Sequence, residues 1–198
     1  MTLSRKHVAF ITLWGLAVLA LILVAWVRLI GPMFAQSLSD TIGPGEYHLT
    51  TTKGTAFTEA TLRGQPSAVF FGFTHCPEVC PTTLGDIATW KEELGDTVPL
   101  RVFFVTVDPE RDTVDQLRDY VSWVPDVQGV SGPREEIDKA IKAFRIYARK
   151  VPLEDGDYTM DHSANVLLFD DKGRFFEPIG YQEDYDRALD KIRRLNAS

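Results

Sequence analysis

The chain has few cysteines, only Cys76 and Cys80 among its 198 residues. A framework of disulfides therefore does not hold the fold together, and a chain of this length can bury a hydrophobic core without such cross-links. The sequence also lacks internal repeats and low-complexity segments, which favours an ordinary globular domain. Because the two cysteines lie four residues apart, they indicate a local chemical site.

The first 39 residues contain no acidic side chain, since every Asp and Glu lies at Asp40 or later. Only Arg5, Lys6 and Arg28 are charged in that segment, and subtracting these three from 21 basic residues leaves 18 against 28 acidic ones. Residues 40–198 therefore carry a formal charge of about −10. Because phosphate binding needs a basic face, this balance argues against nucleic acid as a partner.

An uncharged apolar run extends from Val8 to Val27 and reads VAFITLWGLAVLALILVAWV. As a helix it would span the hydrocarbon core of a bilayer, roughly 30 Å, so it predicts a single transmembrane anchor. Arg5 and Lys6 precede the run, and such residues stay in the cytoplasm, which places the acidic body outside it. Two alternatives fit the run less well. A buried core helix would keep a polar stripe, and the possible cleavage site of a signal peptide, Ala35-Gln36-Ser37, lies far beyond the end of the run.

Three segments follow from this pattern. Residues 1–30 are predicted to form a short tail and the transmembrane anchor, and residues 31–45, rich in Gly, Pro and Ser, a linker. Residues 46–198 are predicted to form one globular domain.

The globular part alternates strands and helices. Two continuous apolar runs, residues 68–73 and 100–107, predict strands that are buried on both faces. The other predicted elements are a hairpin over 47–57, helices over 84–94, 113–121, 133–144 and 185–195, a loop over 150–160, and strands over 166–169 and 174–178 joined by a turn. This order describes an α/β layer fold, and a dithiol between a buried strand and a helix narrows it to thioredoxin-like.

The chemistry is concentrated in residues 75–81, which read His-Cys-Pro-Glu-Val-Cys-Pro. Thiolates are soft ligands that favour Cu(I), Zn or Fe–S centres. Cysteines at i and i+4 lie about one turn apart on a helix, so both sulfurs can face one ion, and a helix N-terminus lowers their pKa. Two thiolates leave a position open for a third ligand such as an imidazole.

His162 is the best candidate for that third ligand. It lies in residues 160–164, Met-Asp-His-Ser-Ala, which we interpret as a loop-to-strand junction that can face the dithiol in this fold class. Cys76, Cys80 and His162 are therefore predicted to bind the metal, a set that suits Cu(I), while Cu(II) would recruit a fourth ligand such as water. Asp161 is predicted to orient the imidazole or act beside it.

The same residues also allow purely structural interpretations. The cysteine pair alone is consistent with a short structural disulfide, and a lone histidine with a hydrogen-bonded loop residue. His75 is expected to point away from its neighbour Cys76, and Met160 to serve packing more than ligation. Asp108 is expected either to adjust the electrostatics of the site or to end a strand beside Pro109.

Three motifs in order carry a family resemblance: FFGFTHCPEVCP at 70–81, FVTVDPERDT at 104–113 and DHSANVLLFD at 161–170. With them the chain resembles the Sco (SenC-like) family of copper proteins that serve cytochrome c oxidase assembly, over roughly residues 45–195. The resemblance implies a thioredoxin-like fold and one copper ion bound by Cys76, Cys80 and His162.

The resemblance further implies a role in maturing the CuA centre of oxidase subunit II. A periplasmic copper donor and a thiol reductant protein would be further partners, and the bacterial form of the motif implies a globular domain in the periplasm beside the inner (cytoplasmic) membrane. The favoured hypothesis is a copper metallochaperone, which performs no net chemistry. The alternative is an enzyme, a thiol–disulfide reductase in which Cys76 and Cys80 form the redox dithiol. A copper or redox sensor ranks low, because seven residues before the apolar run give no room for an output domain.

Overall fold

The structure is a computed structural model that describes residues 5–31, 40–154 and 156–197. The chain divides into two compact units, Met1–Ser39 and Asp40–Ser198. The predicted linker over 31–45 includes residues 32–39, which lie outside the described residues, and so does the alternative cleavage site at 35–37. The domain boundaries predicted from the sequence stay predictions.

The first unit contains one described helix, α1 (Arg5–Leu29), whose side chains from Trp14 to Leu29 are exposed. Within the described part of the chain, no helix combines the length and the apolar character needed to cross a membrane. The transmembrane anchor predicted over Val8–Val27 is therefore not confirmed.

The second unit is built on strands and helices that alternate along the chain. Its strands are β1 (Leu49–Thr51), β2 (Ala56–Phe57), β3 (Ser67–Gly72), β4 (Arg101–Thr106), β5 (Val127–Ser131), β6 (Ala148–Pro152), β7 (Tyr158–His162), β8 (Val166–Phe169) and β9 (Phe175–Ile179). Its α-helices are α2 (Val79–Leu94), α3 (Val114–Val121), α4 (Arg134–Ala143) and α5 (Tyr185–Asn196), with short 3-10 helices at Glu59–Leu62 and Gly95–Thr97.

The main sheet of this unit has seven described strands in the order β2-β1-β5-β4-β3-β8-β9. The central strands β3, β4 and β5 run parallel, whereas β8 and β9 are antiparallel on one side and β1 and β2 on the other. All six residues of β3 and five of the six in β4 are buried, because helices cover both faces of parallel strands. The α/β layer fold and the two central strands are thus confirmed.

An aromatic cluster around Phe144 fills the core between the edge of the sheet and the end of α4. The Phe144 ring contacts the rings of four residues, Tyr47, Phe57, Phe71 and Phe169. Aromatic pairs at such distances contribute about 0.5–1.5 kcal/mol each beyond their buried area. The core therefore fixes β3, the strand that leads into the cysteine motif.

The prediction of a loop over 150–160 is wrong. Strands β6 and β7 form a separate antiparallel hairpin that pairs Ala148 with His162 and Pro152 with Tyr158. Asp155 lies outside the described residues. Four of the five residues in β7 and all five in β6 keep some exposure, so the segment lacks the apolar alternation that identifies a strand.

Strand β5 was also not predicted. It is short, and Gly129 interrupts its apolar residues. A Cβ at position 129 would lie 2.8 Å from the Cβ of Leu117, so the close approach of α3 to the strand requires the glycine. Helix α3 begins with a capping box, in which the side chains of Thr113 and Gln116 each accept from the backbone N–H of the other residue.

Candidate metal centre

The cysteine motif connects the buried strand β3 to helix α2. After Gly72 the chain turns, and the backbone N–H of Cys76 donates to the carbonyl oxygen of Phe73 at 3.2 Å. Cys80 lies in the first turn of α2, and its backbone N–H donates to Sγ of Cys76 at 3.3 Å. The free amides at a helix N-terminus therefore face the sulfur of Cys76 and stabilise its thiolate.

Gly72 makes room for the second sulfur. A Cβ at this position would lie 2.7 Å from Sγ of Cys80 and 2.7 Å from the ring of Phe104, closer than real Cβ contacts come. Cys80 is 0% exposed, whereas Cys76 is 9% exposed and lies nearer the surface. The glycine thus lets α2 bring Cys80 directly onto the sheet.

His162 is the last residue of β7, and its Nε2 atom lies 3.7 Å from Sγ of Cys80. Its Nδ1 atom lies 2.9 Å from the carbonyl oxygen of Ser163. Because a carbonyl oxygen only accepts, Nδ1 donates this hydrogen bond, and Nε2 is the ring nitrogen that faces the sulfurs. The ring of Phe73 meets the imidazole edge-on at 5.7 Å between centroids.

The ligand atoms of Cys76, Cys80 and His162 all lie within 4.8 Å of one another. Two sulfurs and one imidazole nitrogen are a donor set that suits Cu(I) or Zn more than Mg or Ca. The structure thus brings together the three residues that the sequence predicted. The predicted position of His162 at a loop-to-strand junction is corrected to the end of a strand.

The two thiols differ strongly in acidity. Hydrogen bonds from Cys80, opposed by burial and aided by His162, lower the pKa of Cys76 to about 4. The hydrogen bond with Cys76, together with burial, raises the pKa of Cys80 well above that of an ordinary thiol. One sulfur is therefore a thiolate at neutral pH, and the other keeps its proton until a metal or a reaction removes it.

Asp112 holds the loop that precedes Cys76. Its buried carboxylate accepts hydrogen bonds from the backbone N–H of Thr74 at 3.0 Å, the hydroxyl of Thr74 at 2.5 Å and the hydroxyl of Thr106 at 2.6 Å. Three charge-assisted bonds tie this loop to the end of β4. Sequence reasoning missed this contact, which joins residues that are 38 positions apart.

Asp108, predicted either to adjust the electrostatics of the site or to end a strand beside Pro109, contacts Arg111 and Tyr158 in the structure. It is 0% exposed, and its carboxylate accepts from Nε of Arg111 at 2.5 Å and from the hydroxyl of Tyr158 at 2.9 Å. Burial and Asp108 raise the pKa of Tyr158 to about 12, so its hydroxyl stays a donor at neutral pH. Asp108 thus links β4 to the hairpin that carries His162.

The predicted role of Asp161 is wrong. Its carboxylate is exposed and lies 4.0 Å from Arg149, while the partner of His162 Nδ1 is the carbonyl of Ser163. The predictions for the other neighbours are confirmed. His75 is exposed, with Nδ1 3.0 Å from the hydroxyl of Thr74, and Met160 is buried in the core.

The fold and the site together define a class: an α/β protein with a dithiol at the start of a helix and a histidine that completes a soft metal-binding group. The family model described as SCO1/SenC matches residues 35–197. The chain belongs to the SCO1/SenC family.

Among curated proteins, the chain is 35% identical over 155 residues to "Protein SCO2, mitochondrial" of Saccharomyces cerevisiae, covering 75% of this chain and 51% of that protein. The chain therefore spans about half the length of this relative. Among solved structures, Bradyrhizobium japonicum ScoI with copper bound is 42% identical with a TM-score of 0.69, covering 77% of this chain and 99% of that one. Yeast Sco1 with copper bound is 34% identical with a TM-score of 0.70, covering 76% and 87%.

These comparisons agree with the predicted thioredoxin-like α/β fold, which is the fold of Sco proteins. Cys76, Cys80 and His162 form a group that is positioned to bind copper.

Proposed function

We propose that this protein is a copper metallochaperone that binds one copper ion through Cys76, Cys80 and His162 and delivers it during cytochrome c oxidase assembly. The acceptor is the CuA centre of oxidase subunit II. The observation that carries the proposal is the convergence of the three ligand atoms within 4.8 Å in a member of the SCO1/SenC family. The copper-bound structures of two relatives support it.

The geometry suits a protein that releases its metal. Three ligands leave coordination positions open, so a thiolate of the partner can bind the copper before a ligand of this chain departs. Cys76 keeps 9% of its surface exposed and Cys80 keeps none, so a partner reaches the site from the side of Cys76. His162 is held by a hairpin outside the main sheet, so its release of the copper breaks no backbone hydrogen bond of that sheet.

The location is part of the same proposal. The apolar run Val8–Val27 anchors the chain in the bacterial inner membrane, with Arg5 and Lys6 in the cytoplasm and the globular domain in the periplasm. A periplasmic copper donor loads the site, and a thiol reductant protein keeps the dithiol reduced in that oxidising compartment. Carbonate extraction of membranes tests the anchor: the protein should stay in the pellet, and release into the supernatant would contradict anchoring.

Complementation of cells that lack this protein tests the delivery. His162→Ala should abolish CuA formation and oxidase activity, because it removes one of three copper ligands. His75→Ala is the matched control, since it removes an exposed imidazole beside Cys76 that lies outside the ligand group. Normal oxidase maturation in cells with His162→Ala would refute the metallochaperone.

A thiol–disulfide reductase is the second candidate, and the acidity of Cys76 favours it. The Cys76 thiolate would attack a disulfide of the oxidase subunit and form a mixed disulfide, releasing one partner thiolate. Cys80, after losing its proton, would then attack Sγ of Cys76 and release the second thiolate, leaving a Cys76–Cys80 disulfide. The partner gains two electrons, and an external thiol reductant restores the dithiol.

The same complementation separates the two candidates. A reductase needs both cysteines and tolerates His162→Ala, whereas the metallochaperone needs all three residues. Cys76→Ser disables both and serves only to show that the assay responds.

A further inference from the structure

The hairpin that carries His162 is attached to the domain mainly through side chains. Strands β6 and β7 pair with each other, and among the described residues they share no ladder with the seven-stranded sheet. His162 lies at one end of this hairpin and Tyr158 at the other end of β7. The contacts at Tyr158 therefore help to determine where the imidazole lies.

Arg111 contacts Tyr158 at both its backbone and its ring. Its NH1 group donates to the carbonyl oxygen of Tyr158 at 2.9 Å and to Asp157 at 3.3 Å. Its guanidinium carbon lies 3.8 Å from the centroid of the Tyr158 ring, and its Nε donates to Asp108 at 2.5 Å. One side chain thus holds the backbone and the ring of the hairpin, and it is itself fixed by a buried carboxylate. We call Asp108, Arg111 and Tyr158 the hairpin clamp.

The next residue, Asp112, reaches the other half of the site. It accepts two hydrogen bonds from Thr74, which begins the turn into Cys76. The loop over 108–112 therefore contacts both the segment that carries the cysteines and the hairpin that carries the histidine.

We infer that Arg111 is a positioning residue for copper binding: through the hairpin clamp it sets the separation of His162 Nε2 from the two sulfurs. The inference rests on the proposed function, since it assigns a role toward the same copper. Residues that orient metal ligands typically change metal affinity by about 10–100-fold when they are replaced. A purely structural role would lower stability without acting through His162.

A double-mutant cycle tests this distinction on the full chain in detergent, with Cu(I) supplied against a chromophoric chelator under anaerobic conditions. Arg111→Met should weaken Cu(I) binding by about tenfold or more. In the His162→Ala background the same change should have no further effect, because its route to the copper is gone. Arg149→Met is the matched control, since it removes an exposed arginine from the same hairpin and should leave affinity unchanged.

Hydrogen exchange on the metal-free protein gives a second readout. Arg111→Met should speed the exchange of amides in β6 and β7 and leave those in α5 unchanged. If Arg111→Met does not fold, Tyr158→Phe removes only the hydroxyl that contacts Asp108 and Glu110, and should cause a smaller loss of the same kind.

The outcomes separate the positioning role of Arg111 from the proposed copper-binding function. Equal losses in both backgrounds, or wild-type affinity in Arg111→Met, would overturn the positioning role while leaving copper binding intact. Failure of the unaltered protein to bind copper would overturn the proposed function. The exchange of β6 and β7 would then decide alone whether Arg111 positions His162.

Discussion

Replacing Gly72 by Ala places a methyl group where the structure has no room. The new Cβ would lie 2.7 Å from Sγ of Cys80 and 2.7 and 2.9 Å from two carbons of the Phe104 ring. Favourable contacts between such atoms are about 3.5–4.0 Å long, so the sulfur and the ring must retreat by about 1 Å. Neither group has free space, because both are 0% exposed.

Overpacking of this kind costs about 1–3 kcal/mol. For a protein of this size each kcal/mol lowers the melting temperature by about 2–4 °C. The retreat of Cys80 also moves one ligand away from the other two, so Cu(I) affinity should fall by about tenfold, the effect of disturbing the support of a metal ligand.

Gly85→Ala is the matched control for this experiment. It adds the same methyl group to α2, the helix of Cys80, at a position where nothing lies within 4 Å of the new Cβ. A helical glycine replaced by alanine gains roughly 0.5–1 kcal/mol. Gly72→Ala should lower both the melting temperature and the Cu(I) affinity, whereas Gly85→Ala should raise the melting temperature slightly and leave the affinity unchanged. A Gly72→Ala protein with wild-type melting and wild-type affinity would refute the packing argument.

Two further predictions concern charge. Because the pKa of Cys76 is about 4, iodoacetamide should alkylate one thiol per chain already at pH 6, while buried Cys80 stays unmodified; an apparent pKa near 8 for this reaction would contradict the hydrogen-bonded thiolate. Lys191→Met should cost about 1.5–3 kcal/mol at pH 7, since it removes a charge-assisted hydrogen bond to Glu183, which keeps Arg187 at 3.4 Å and the backbone N–H of Gly180 as partners. Although burial opposes it, the hydrogen bond from Lys191 holds the pKa of Glu183 below its usual range, so this bond stabilises the fold above that range and is lost as the pH falls. The stability difference measured by denaturant unfolding should therefore shrink in acid, and a constant difference would count against the pair.

The two cysteine ligands and the central strands could be predicted, because each is identified by a short continuous stretch of sequence. Cys76 and Cys80 stand out by their chemistry and spacing, and β3 and β4 by continuous apolar runs. The position of His162 could be predicted only as a partner of the dithiol, since the strand that holds it has a polar sequence.

Two predictions were wrong because the strands β6 and β7 were not recognised from the sequence. Residues 150–160 contain Pro152 and Gly156 and were predicted to be a loop, but a hairpin with both faces partly exposed needs no apolar alternation. Asp161 was assigned to the imidazole because it adjoins His162. In a strand, successive side chains point to opposite faces, so the neighbour in sequence is directed away.

The contacts of Asp112 and Arg111 could not be predicted, because they join residues 38 and 47 positions apart. The motif FVTVDPERDT contained both residues, but nothing in the sequence says which segment each one reaches. Only the folded chain brings the end of β4 beside Thr74 and Tyr158.

The central claim is that Cys76, Cys80 and His162 bind copper together. X-ray absorption spectroscopy of the full chain loaded with one Cu(I) tests it most directly, because sulfur and nitrogen scatter differently. We predict two sulfur ligands and one imidazole nitrogen, with loss of the imidazole in His162→Ala and its retention in His75→Ala. A copper shell that is unchanged by His162→Ala would contradict the account.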